Sequence, residues 1–316
     1  MKNRTAAVVT TYNRLALLKE NVESLLNQSF SKLDIIIVNN NSNDGTEEYV
    51  LSLNNDRIKY YNTGANLGGA GGFAFGVKKA LQLGYDYAWL MDDDTIPDNT
   101  ALEYLIKATE QLNNKFSFLA STVYWTDGTL FPMNTPTPAD DFKMDIEKTR
   151  DYGLVKIVTC SFVGCFVNLD YAEQVGLPYA EYFIYGDDVE YTTRLSEKEN
   201  AYWVLESTLV HKAPSKAGSN VVNAPADRIE RFYNQARNRI HLHRKHGGMS
   251  QYLINYVLRR IKNIIVKSPD HKFKRVKMVF LGSISGLFFN PEIIYIKKND
   301  ENCNENNLAE EEKDNV

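Results

Sequence analysis

The sequence predicts an α/β protein with an open sheet and a helical extension at its carboxyl end. Short β-branched runs alternate with helical periodicity over the first hundred residues, which is typical of strand, helix, strand units. The strands are apolar at successive positions, as expected for a parallel sheet that helices cover on both faces. Beyond Asp227 the periodicity is helical, and from 252 to 290 it is amphipathic and basic.

The elements of the sheet are predicted in chain order. Ala6–Thr11 is the first strand, and apolar residues between Leu17 and Leu26 recur at helical spacing. The further strands are Ile35–Val38, Ile58–Tyr61, Tyr87–Met91, Ser117–Val123, Val155–Val167 and Ala201–Val210, and the further helices are Gly72–Leu83, Thr100–Leu112 and Asp227–His246. A loop rich in Pro and Asp, 131–145, is expected to be exposed. Ligands of such sheets bind beyond the carboxyl ends of the strands.

The charge of the chain is divided into three regions. The formal net charge is only −4, which argues against a surface built for nucleic acid. Residues 237–298 carry 14 Lys or Arg and two acids, whereas the last 17 residues carry seven acids and one Lys. The remaining residues, 1–236, have a net charge of −10. We predict a catalytic domain over 1–226, a basic helical region over 227–298 and an acidic, disordered tail over 299–316.

Composition and cysteine usage indicate a globular cytoplasmic protein. The 316 residues are 43% hydrophobic and 24% charged, which excludes disordered, collagen-like and coiled-coil classes. Three cysteines, Cys160, Cys165 and Cys303, fit neither complete disulfide pairing nor a zinc site, so we expect reduced thiols. The first residues lack the apolar core of a signal peptide, and no apolar run reaches the ~18–20 residues of a membrane span.

Polar turns follow the first two predicted strands. Residues 10–14 read TTYNR and residues 39–46 read NNNSNDGT. Asn and Ser side chains offer the paired donors and acceptors that recognise a nucleobase edge. The alternative is a pair of Asn-rich turns without a ligand, which two such turns at adjacent strand ends disfavour.

A glycine-rich segment, GANLGGAGGF at 64–73, follows the third predicted strand. Its glycines let backbone amides approach a ligand, and the helix that they open favours anionic groups at its N-terminus. The segment is not a dinucleotide fingerprint, because that pattern follows the first strand of its fold. A flexible connection is the alternative, but five glycines in nine residues ahead of a helix are hard to explain by packing.

Two acidic clusters are candidates for metal and proton chemistry. After the fourth strand, Asp92 and Asp94 project to one side and Asp93 to the other, and oxygen ligands of this kind suit Mg²⁺ or Mn²⁺. A solvated acidic turn is the alternative. Residues 186–190, GDDVE, begin a predicted helix, where a carboxylate accepts a hydroxyl proton or merely caps the helix. His211 follows the last strand and is a candidate third metal ligand beside the aspartates.

The ordered set of these segments resembles family 2 of the inverting nucleotide-sugar glycosyltransferases over roughly residues 5–245. TTYNR at 10–14, VNNNSNDGT at 38–46, DDD at 92–94 and DDVE at 187–190 carry the resemblance; many family members have Val-Asp-Asp where this chain has VNN at 38–40. NLGGAGGF at 66–73 and FIYGDD at 183–188 are most similar to bacterial galactofuranosyltransferases. The resemblance implies the GT-A fold, an open mixed sheet with a Rossmann-like amino-terminal half.

The resemblance also implies roles for individual residues of a metal-dependent hexosyltransferase. Mn²⁺ or Mg²⁺ is assigned to Asp92, Asp94 and His211, and Asp188 is assigned as the base that deprotonates the acceptor hydroxyl. The implied acceptor-binding residues are Asp187, Glu190 and Trp125. The implied donor-binding residues are Thr11, Tyr12, Asn13, Arg14, Asn40, Asn66, Gly68, Gly69, Asp92 and Asp93.

The implied reaction moves galactofuranose from UDP-galactofuranose onto a glycan or lipid-linked acceptor in bacterial cell-surface polysaccharide synthesis. Rhamnosyltransferases share much of the pattern, so dTDP-rhamnose is the alternative donor, and a sugar-nucleotide-binding protein without activity is the alternative class. A glycoside hydrolase also uses paired carboxylates but needs no Asn-rich nucleotide turn. The sequence leaves the acceptor, the linkage and the oligomeric state open.

The basic stretch over 252–290 has two interpretations. Its apolar residues alternate with Arg259, Arg260, Lys262 and Lys267 at helical spacing, and the apolar run 278–289 is 12 residues long, too short for a membrane span. In one interpretation the stretch lies on a lipid surface and holds the enzyme at the inner face of the cell membrane. In the other it caps the catalytic domain with its basic face in water.

Overall fold

Ten strands form one mixed sheet in the computed structural model, which describes residues 4–216, 220–247 and 251–299. The strands are β1 (Thr5–Thr11), β2 (Leu33–Asn39), β3 (Ile58–Asn62), β4 (Tyr87–Asp92), β5 (Thr95–Pro97), β6 (Phe118–Trp125), β7 (Thr137–Pro138), β8 (Leu154–Thr159), β9 (Cys165–Asn168) and β10 (Ala201–His211). Their order is β3, β2, β1, β4, β9, β6, β10, β8, β7, and β5 pairs with β10. β3, β2, β1 and β4 are parallel, whereas β9 is antiparallel to β4 and β6. The predicted open α/β fold is confirmed.

Ten α-helices accompany the sheet within the same residues. They are α1 (Leu15–Leu26), α2 (Thr46–Ser52), α3 (Gly68–Gln82), α4 (Ala101–Gln111), α5 (Ile146–Tyr152), α6 (Leu169–Val175), α7 (Asp187–Ser196), α8 (Arg231–Leu242), α9 (Gln251–Lys267) and α10 (Lys272–Phe288). Short 3₁₀ turns lie at Pro132–Asn134, Phe142–Asp145, Ala180–Tyr182 and Ala226–Arg228, and a π-helical turn lies at His243–Gly247.

Helices cover both faces of the parallel part of the sheet, which explains why its strands are apolar throughout. Ala7 and Val9 of β1 face the cluster that includes α1 and α4. Ala6 and Val8 face the opposite cluster, which includes α3 and α7. Every residue of β1 is buried. The polar residues that follow β1, β2 and β4 therefore extend from a rigid, fully buried platform.

Helix α3 begins at Gly68, four residues before its predicted start. A side chain at Gly72 would overlap Thr10, and one at Gly76 would overlap Val8, so both glycines allow α3 to pack closely on β1. The expectation that packing does not explain these glycines is wrong for Gly72. The sequence did not reveal this start because a polar turn precedes the helix. Periodicity also does not show which glycines face a strand.

The structure corrects two other predictions about the middle of the chain, the first in full and the second in part. The single strand predicted at 155–167 is two strands, β8 and β9, because Gly164 adopts a left-handed conformation (φ +81°) and β9 inserts between β4 and β6. The loop 131–145, predicted to be exposed, is exposed at most of its residues but buried at Phe131, Asn134, Pro136 and Ala139. Phe131 packs in the α1/α4 side of the core, which draws this segment towards the sheet.

The carboxyl-terminal helices pack on one another and lead back to the sheet domain. Phe232 of α8, Ile264 of α9 and Val279 of α10 share one apolar cluster. After α10 the chain returns: Leu177 donates its backbone N–H to Ile294 (2.8 Å), and Lys298 pairs with Asp86 (2.8 Å). The domain boundaries at 226 and 298 stay predictions, and the acidic tail predicted over 299–316 lies, beyond Asn299, outside the described residues. None of the described helices combines the length and the hydrophobicity that a bilayer crossing requires.

Candidate active site

An open pocket of about 470 Å³ lies at the carboxyl ends of β1, β2 and β4, as the sheet topology predicted. Its volume falls within the range of sites for small molecules, ~300–1,000 Å³. The structure brings eleven predicted residues together in its wall: Thr11, Tyr12, Arg14, Asn40, Asn66, Gly68, Gly69, Asp92, Asp93, Asp94 and His211. These residues come from five separate parts of the chain.

Asp92, Asp94 and His211 form the predicted triad. Each offers one ligand atom, and the three atoms lie within 4.8 Å of one another. Asp92 ends β4, Asp94 follows in the turn, and His211 ends β10, where β5 holds it by pairing Thr95 with His211. Two carboxylate oxygens and one imidazole nitrogen are a ligand set that suits Mn²⁺.

The orientation of His211 favours cation binding. Its Nδ1 atom lies 2.8 Å from the Oδ1 atom of Asn134, whose Nδ2 donates to the Ser161 hydroxyl at 2.8 Å. An amide oxygen only accepts, so Nδ1 carries a hydrogen, and in the neutral imidazole Nε2 presents a lone pair. Nε2 lies 3.1 Å from the buried Oδ1 atom of Asp94, which has no hydrogen-bond donor in that tautomer. A cation between the two acceptor atoms would satisfy both, so the residues fit a divalent metal.

Burial and neighbouring charges shift the pKa values of the three consecutive aspartates. Burial, and then the charge of Asp94, raise the pKa of Asp92 to about 7. Burial raises the pKa of Asp93 to about 6. Burial also opposes the charge of Asp94, but in the absence of a cation a protonated His211, together with the guanidinium of Arg14, outweighs burial and lowers the pKa of this carboxyl. The wall of the pocket thus concentrates three acids where a cation would stabilise their ionised forms.

Asp93 lines the same pocket as Asp92 and Asp94, so the predicted projection of its side chain to the other side does not separate it from them, and it fastens the TTYNR turn. It accepts a hydrogen bond from the Thr11 hydroxyl at 2.7 Å. The Nη1 atom of Arg14 lies 3.4 Å from Asp93 and 2.6 Å from the Oδ2 atom of Asp94. The guanidinium of Arg14 therefore links the turn after β1 to the turn after β4.

The Asn-rich turn after β2 is chiefly a structural connection, and one of its residues lines the pocket. Asn40 donates from Nδ2 to the Gly68 carbonyl at 3.0 Å and lies in the wall. Asn13 does not line the pocket: its Oδ1 accepts from the backbone of Asn43 at 2.9 Å, so it joins the first two polar turns. Asp44 accepts from the Leu15 backbone at 2.8 Å and so anchors the start of α1.

The first turn of α3 forms another part of the wall. Asn66 accepts from the backbone N–H of Gly68 at 2.9 Å, and Gly68 has a left-handed backbone (φ +71°). A side chain at Gly68 would overlap the carbonyl oxygen of Phe183, whereas one at Gly69 would meet no atom within 4 Å. The positive end of this helix faces the pocket, which favours an anionic group there.

A strained loop positions the second acidic cluster. Phe183 (φ +59°) and Tyr185 (φ +71°) both adopt left-handed conformations that non-glycine residues rarely take. The Nδ2 atom of Asn238, on α8, lies within 3.1 Å of three carbonyl oxygens of this loop, those of Tyr182, Ile184 and Tyr185. Phe183 and Ile184 line the pocket, and α7 begins at Asp187 directly afterwards. Asn238 thus compensates the strain that brings the acidic pair to the site.

Asp187 and Asp188 lie beside the wall rather than in it. Burial and the charge of Asp188 raise the pKa of Asp187, and the charge of Asp92 contributes. Asp188 is half-buried, and burial raises its pKa to about 6. A carboxylate with this pKa is ionised at neutral pH and matched to proton transfer there.

The structure does not bring Glu190 and Trp125 into the pocket. Glu190 is fully buried, its carboxylate accepts from Nε of Arg194 at 2.8 and 3.0 Å, and His246 lies 3.3 Å away. Trp125 ends β6 and donates from Nε1 to the Ala213 carbonyl at 3.1 Å, behind the segment that follows His211. Their assignment to acceptor binding stays a prediction, and the contacts present are those of supports.

Sequence reasoning missed several residues of the site. Those in the wall are Thr10, Met133, Phe183, Ile184, Ala213, Pro214 and Arg231. Asn134 and Asn238, which hold other site residues, were missed as well. Arg231 begins α8 and has no ion-pair partner among the described residues, so its charge is available to an anion in the pocket. Its only signal in the sequence was its position near the start of the helix predicted over Asp227–His246.

Comparison with known families identifies the site. Residues 6–175 match the family described as "Glycosyl transferase family 2". The chain belongs to this family. As a family 2 glycosyltransferase, it carries the TTYNR turn, the Asn-rich turn and the aspartate triplet inside the matched residues and the acidic pair and His211 beyond them.

Three relatives are similar in sequence to this glycosyltransferase over different shares of the chain. Galactofuranosyltransferase GlfT1 of Mycolicibacterium smegmatis is 28% identical over 249 residues, 75% of this chain and 82% of that protein. GlfT1 of Mycobacterium tuberculosis is 26% identical over 76% of this chain and 82% of its own length. A "GalNAc(5)-diNAcBac-PP-undecaprenol beta-1,3-glucosyltransferase" of Campylobacter jejuni is 34% identical over 110 residues, 34% of this chain and 35% of that protein.

Solved structures confirm the fold of the glycosyltransferase. Residues 1–349 of TarS from Staphylococcus aureus superpose with a TM-score of 0.51 at 13% identity, covering 90% of this chain and 91% of the other. A longer TarS structure gives a TM-score of 0.54 at 12% identity, covering 90% of this chain and 54% of the other. The likeness at this identity concerns the fold alone, which is GT-A, as the resemblance implied.

Proposed function

We propose that this family 2 enzyme transfers galactofuranose from UDP-galactofuranose to a glycan or lipid-linked acceptor in bacterial cell-surface polysaccharide synthesis. The proposal rests on the similarity to the two GlfT1 proteins over 75% and 76% of the chain. Both GlfT1 proteins match along most of this chain and most of their own length. The shorter matches to other transferases cover only about a third of this chain. Rhamnosyl transfer from dTDP-rhamnose is the second candidate, since the same motifs serve it.

The pocket wall is suited to the diphosphate of such a donor. Asp92, Asp94 and His211 would hold Mn²⁺ or Mg²⁺, which when bound supplies a Lewis acid that stabilises the departing diphosphate. The guanidinium groups of Arg14 and Arg231 add positive charge to the wall. The first turn of α3 adds the positive end of its dipole.

The remaining wall residues are proposed to bind the nucleoside and to orient the sugar. Asn40 lies beside Gly68 and offers its amide oxygen to a base edge, and Tyr12 exposes its ring at the rim. Thr11 and Asp93 keep this turn in place through their own hydrogen bond. We assign Asn66 and Gly69 to the donor on the same grounds.

Asp188 is proposed as the general base of an inverting displacement. The acceptor oxygen forms a bond to the anomeric carbon while the bond from that carbon to the diphosphate oxygen breaks, and the nucleoside diphosphate leaves with the electron pair. The proton of the acceptor hydroxyl passes to the carboxylate of Asp188. General-base assistance is typically worth ~10²–10⁴ in rate. Asp187, held near Asp92 and Asp188, is proposed to orient the acceptor.

The proposed acceptor sets the proposed location. A lipid-linked acceptor would hold the enzyme at a membrane, and the Campylobacter relative carries "PP-undecaprenol" in its name. We therefore place this enzyme in the cytoplasm, peripheral at the inner face of the membrane. A free glycan acceptor would require no such contact.

A donor screen tests the proposed function. The full chain with Mn²⁺ is given UDP-galactofuranose, UDP-galactose or dTDP-rhamnose, and released nucleotide and sugar products are followed by mass spectrometry. We expect turnover to be highest with UDP-galactofuranose and to fall by ~10²–10⁴ in Asp188→Asn. Turnover with dTDP-rhamnose alone would contradict the assignment of UDP-galactofuranose as the donor. Binding of a donor without product in single-turnover analysis would contradict the proposed transferase activity and indicate a sugar-nucleotide-binding protein.

A further inference from the structure

Helix α10 packs against α8 through a face of small residues. A side chain at Gly282 would overlap the backbone of Tyr233, and one at Gly286 would overlap the backbone of Arg237. Both glycines are buried. The close approach fixes α10 to α8 and determines which of its side chains face outwards.

The opposite face of α10 is apolar and exposed. Six large apolar residues lie on it: Phe273, Phe280, Leu281, Ile284, Leu287 and Phe288. At about 100° per residue they fall within an arc of about 120°, on the far side of the helix from the two glycines. The exposed fraction is 85% for Phe273 and 80% for Phe288. A capping role explains the buried face but leaves this one without a partner among the residues that the structure describes, and contiguous apolar patches of this kind mark interaction sites.

Helix α9 extends the apolar face and surrounds it with positive charge. Leu258, Ile265 and Val266 are exposed on α9, which packs against α10 through Ile264 and Val279. Exposed basic residues of the two helices are Arg259, Lys262, Lys267, Lys272 and Lys277. Within 251–299 the sequence has only two acids, Asp270 and Glu292, and Asp270 is paired with the buried Arg275. We call the exposed apolar and basic residues of α9 and α10 the α9–α10 face.

We propose that the α9–α10 face docks on an anionic lipid bilayer, with α10 lying in the plane of the interface. Apolar side chains enter the boundary between head groups and acyl chains, while lysines and arginines contact lipid phosphates. At 17 residues and about 1.5 Å per residue, α10 is shorter than the ~30 Å hydrocarbon core of a bilayer, and it carries basic residues between Lys272 and Lys277, which suits a position in the interface. A second copy of the chain fits this face less well, because the same positive charges would oppose one another.

The docked face is joined to the candidate active site by direct contacts. Phe289 follows α10, and its ring lies 6.0 Å from that of Tyr182 and under the guanidinium of Arg237 at 4.0 Å. Arg244 of the π-helical turn donates to the carbonyl oxygens of Gly286 and Phe289 at 2.9 and 3.0 Å. Tyr182 begins the loop that leads to Asp187 and Asp188. Docking thus holds the acceptor side of the pocket near the bilayer, a consequence that rests on the proposed function, whereas docking itself does not.

Flotation of the full chain with vesicles tests the docking. Vesicles contain either phosphatidylglycerol with phosphatidylcholine or phosphatidylcholine alone, and no donor or acceptor is present, so failure of binding is independent of the proposed transfer. We expect at least tenfold stronger binding to the anionic vesicles, reduced by high salt. The triple variant Phe273→Ser, Phe280→Ser, Phe288→Ser is expected to lose at least tenfold in binding.

Two variants and one measurement of mass complete the test. Leu51→Ser, Met144→Ser, Ile146→Ser removes three exposed apolar residues from the sheet domain and is expected to bind like the wild type. Lys262→Glu, Lys267→Glu, Lys277→Glu is expected to lose the preference for anionic vesicles. Wild-type protein that stays unbound, or equal binding by the Phe triple variant and its control, would overturn the proposal. So would a wild-type dimer in sedimentation velocity that the Phe variant dissociates, because the face would then join two copies.

Discussion

The Nδ1 atom of His211 lies 2.8 Å from the Oδ1 atom of Asn134, so a residue 77 positions earlier in the chain determines which imidazole nitrogen faces the aspartates. Ser161 holds Asn134 in that orientation. The arrangement is that of a metal ligand with a supporting hydrogen bond. Removing such supports lowers metal affinity by roughly 10–100-fold in metalloproteins.

Asn134→Leu is expected to lower the affinity for Mn²⁺ by about 10–100-fold, because His211 loses the acceptor that fixes its tautomer and ring orientation. Titration calorimetry of Mn²⁺, with and without UDP, measures the loss. Asp94→Ala, which removes a ligand, is the reference and is expected to lose metal-dependent nucleotide binding altogether.

Asn134→Asp is the matched control for this variant. It keeps an oxygen acceptor 2.8 Å from Nδ1 and is expected to retain Mn²⁺ affinity far better than the Leu variant. Thermal unfolding separates a local effect from a loss of fold. Wild-type Mn²⁺ affinity in folded Asn134→Leu would exclude the supporting role.

The triad could be predicted from sequence, whereas its support could not. Asp92, Asp94 and His211 each follow a strand, and strand ends of an open sheet meet at one edge, so their proximity follows from periodicity and topology. Asn134 lies in a segment rich in Pro and Asp that local composition assigns to an exposed loop. Its burial depends on Phe131 entering the core, a tertiary contact that no local pattern encodes.

The base role of Asp188 predicts a distinct dependence of rate on pH. Burial raises the pKa of Asp188 to about 6, and only the ionised carboxylate accepts a proton. With donor and Mn²⁺ saturating, so that protons do not compete for the triad, the rate is expected to be constant above about pH 7 and to fall tenfold per unit below the pKa. Initial rates between pH 5 and pH 8 give the profile.

Asp188→Asn is the companion to that profile. The amide has nearly the same size but accepts no proton, so transfer is expected to fall by ~10²–10⁴. Affinity for the donor, measured by calorimetry, is expected to stay near that of the wild type. An Asn variant with close to full turnover, or a wild-type rate that stays constant down to pH 5, would show that another group is the base.

Asn238 is predicted to be a positioning residue for the acidic pair. Asn238→Asp would place a buried carboxylate against the carbonyl oxygens of Tyr182, Ile184 and Tyr185, which the amide now satisfies as a donor. Leaving these groups unsatisfied costs about 1–3 kcal/mol of unfolding free energy, and the strained loop loses its restraint. Urea unfolding and the turnover rate together measure the effect, with turnover expected to fall more than donor affinity.

Asn234→Asp makes the same chemical change one turn earlier on α8, where the side chain of Asn234 makes no hydrogen bond to the described residues. It is expected to leave the free energy of unfolding close to that of the wild type and the turnover rate within a factor of two. Equal effects of the two substitutions would mean that charge on α8, and not the loop contact, is responsible. Sequence reasoning missed Asn238 because its three acceptors lie 53–56 positions earlier and only the docking of α8 brings them together.

Gly68 and Gly69 adjoin each other in the pocket wall but are predicted to respond differently to alanine. At Gly68 the left-handed backbone and the carbonyl of Phe183 both oppose a side chain. Gly68→Ala is therefore expected to cost about 1–3 kcal/mol in stability and to lower turnover by displacing the loop of Phe183. At Gly69 a side chain meets no atom within 4 Å, so Gly69→Ala is expected to fold with wild-type stability. If Gly69 contacts the donor, as we propose, its added methyl group raises the KM for donor without lowering the unfolding free energy; an unchanged KM would remove Gly69 from the donor site.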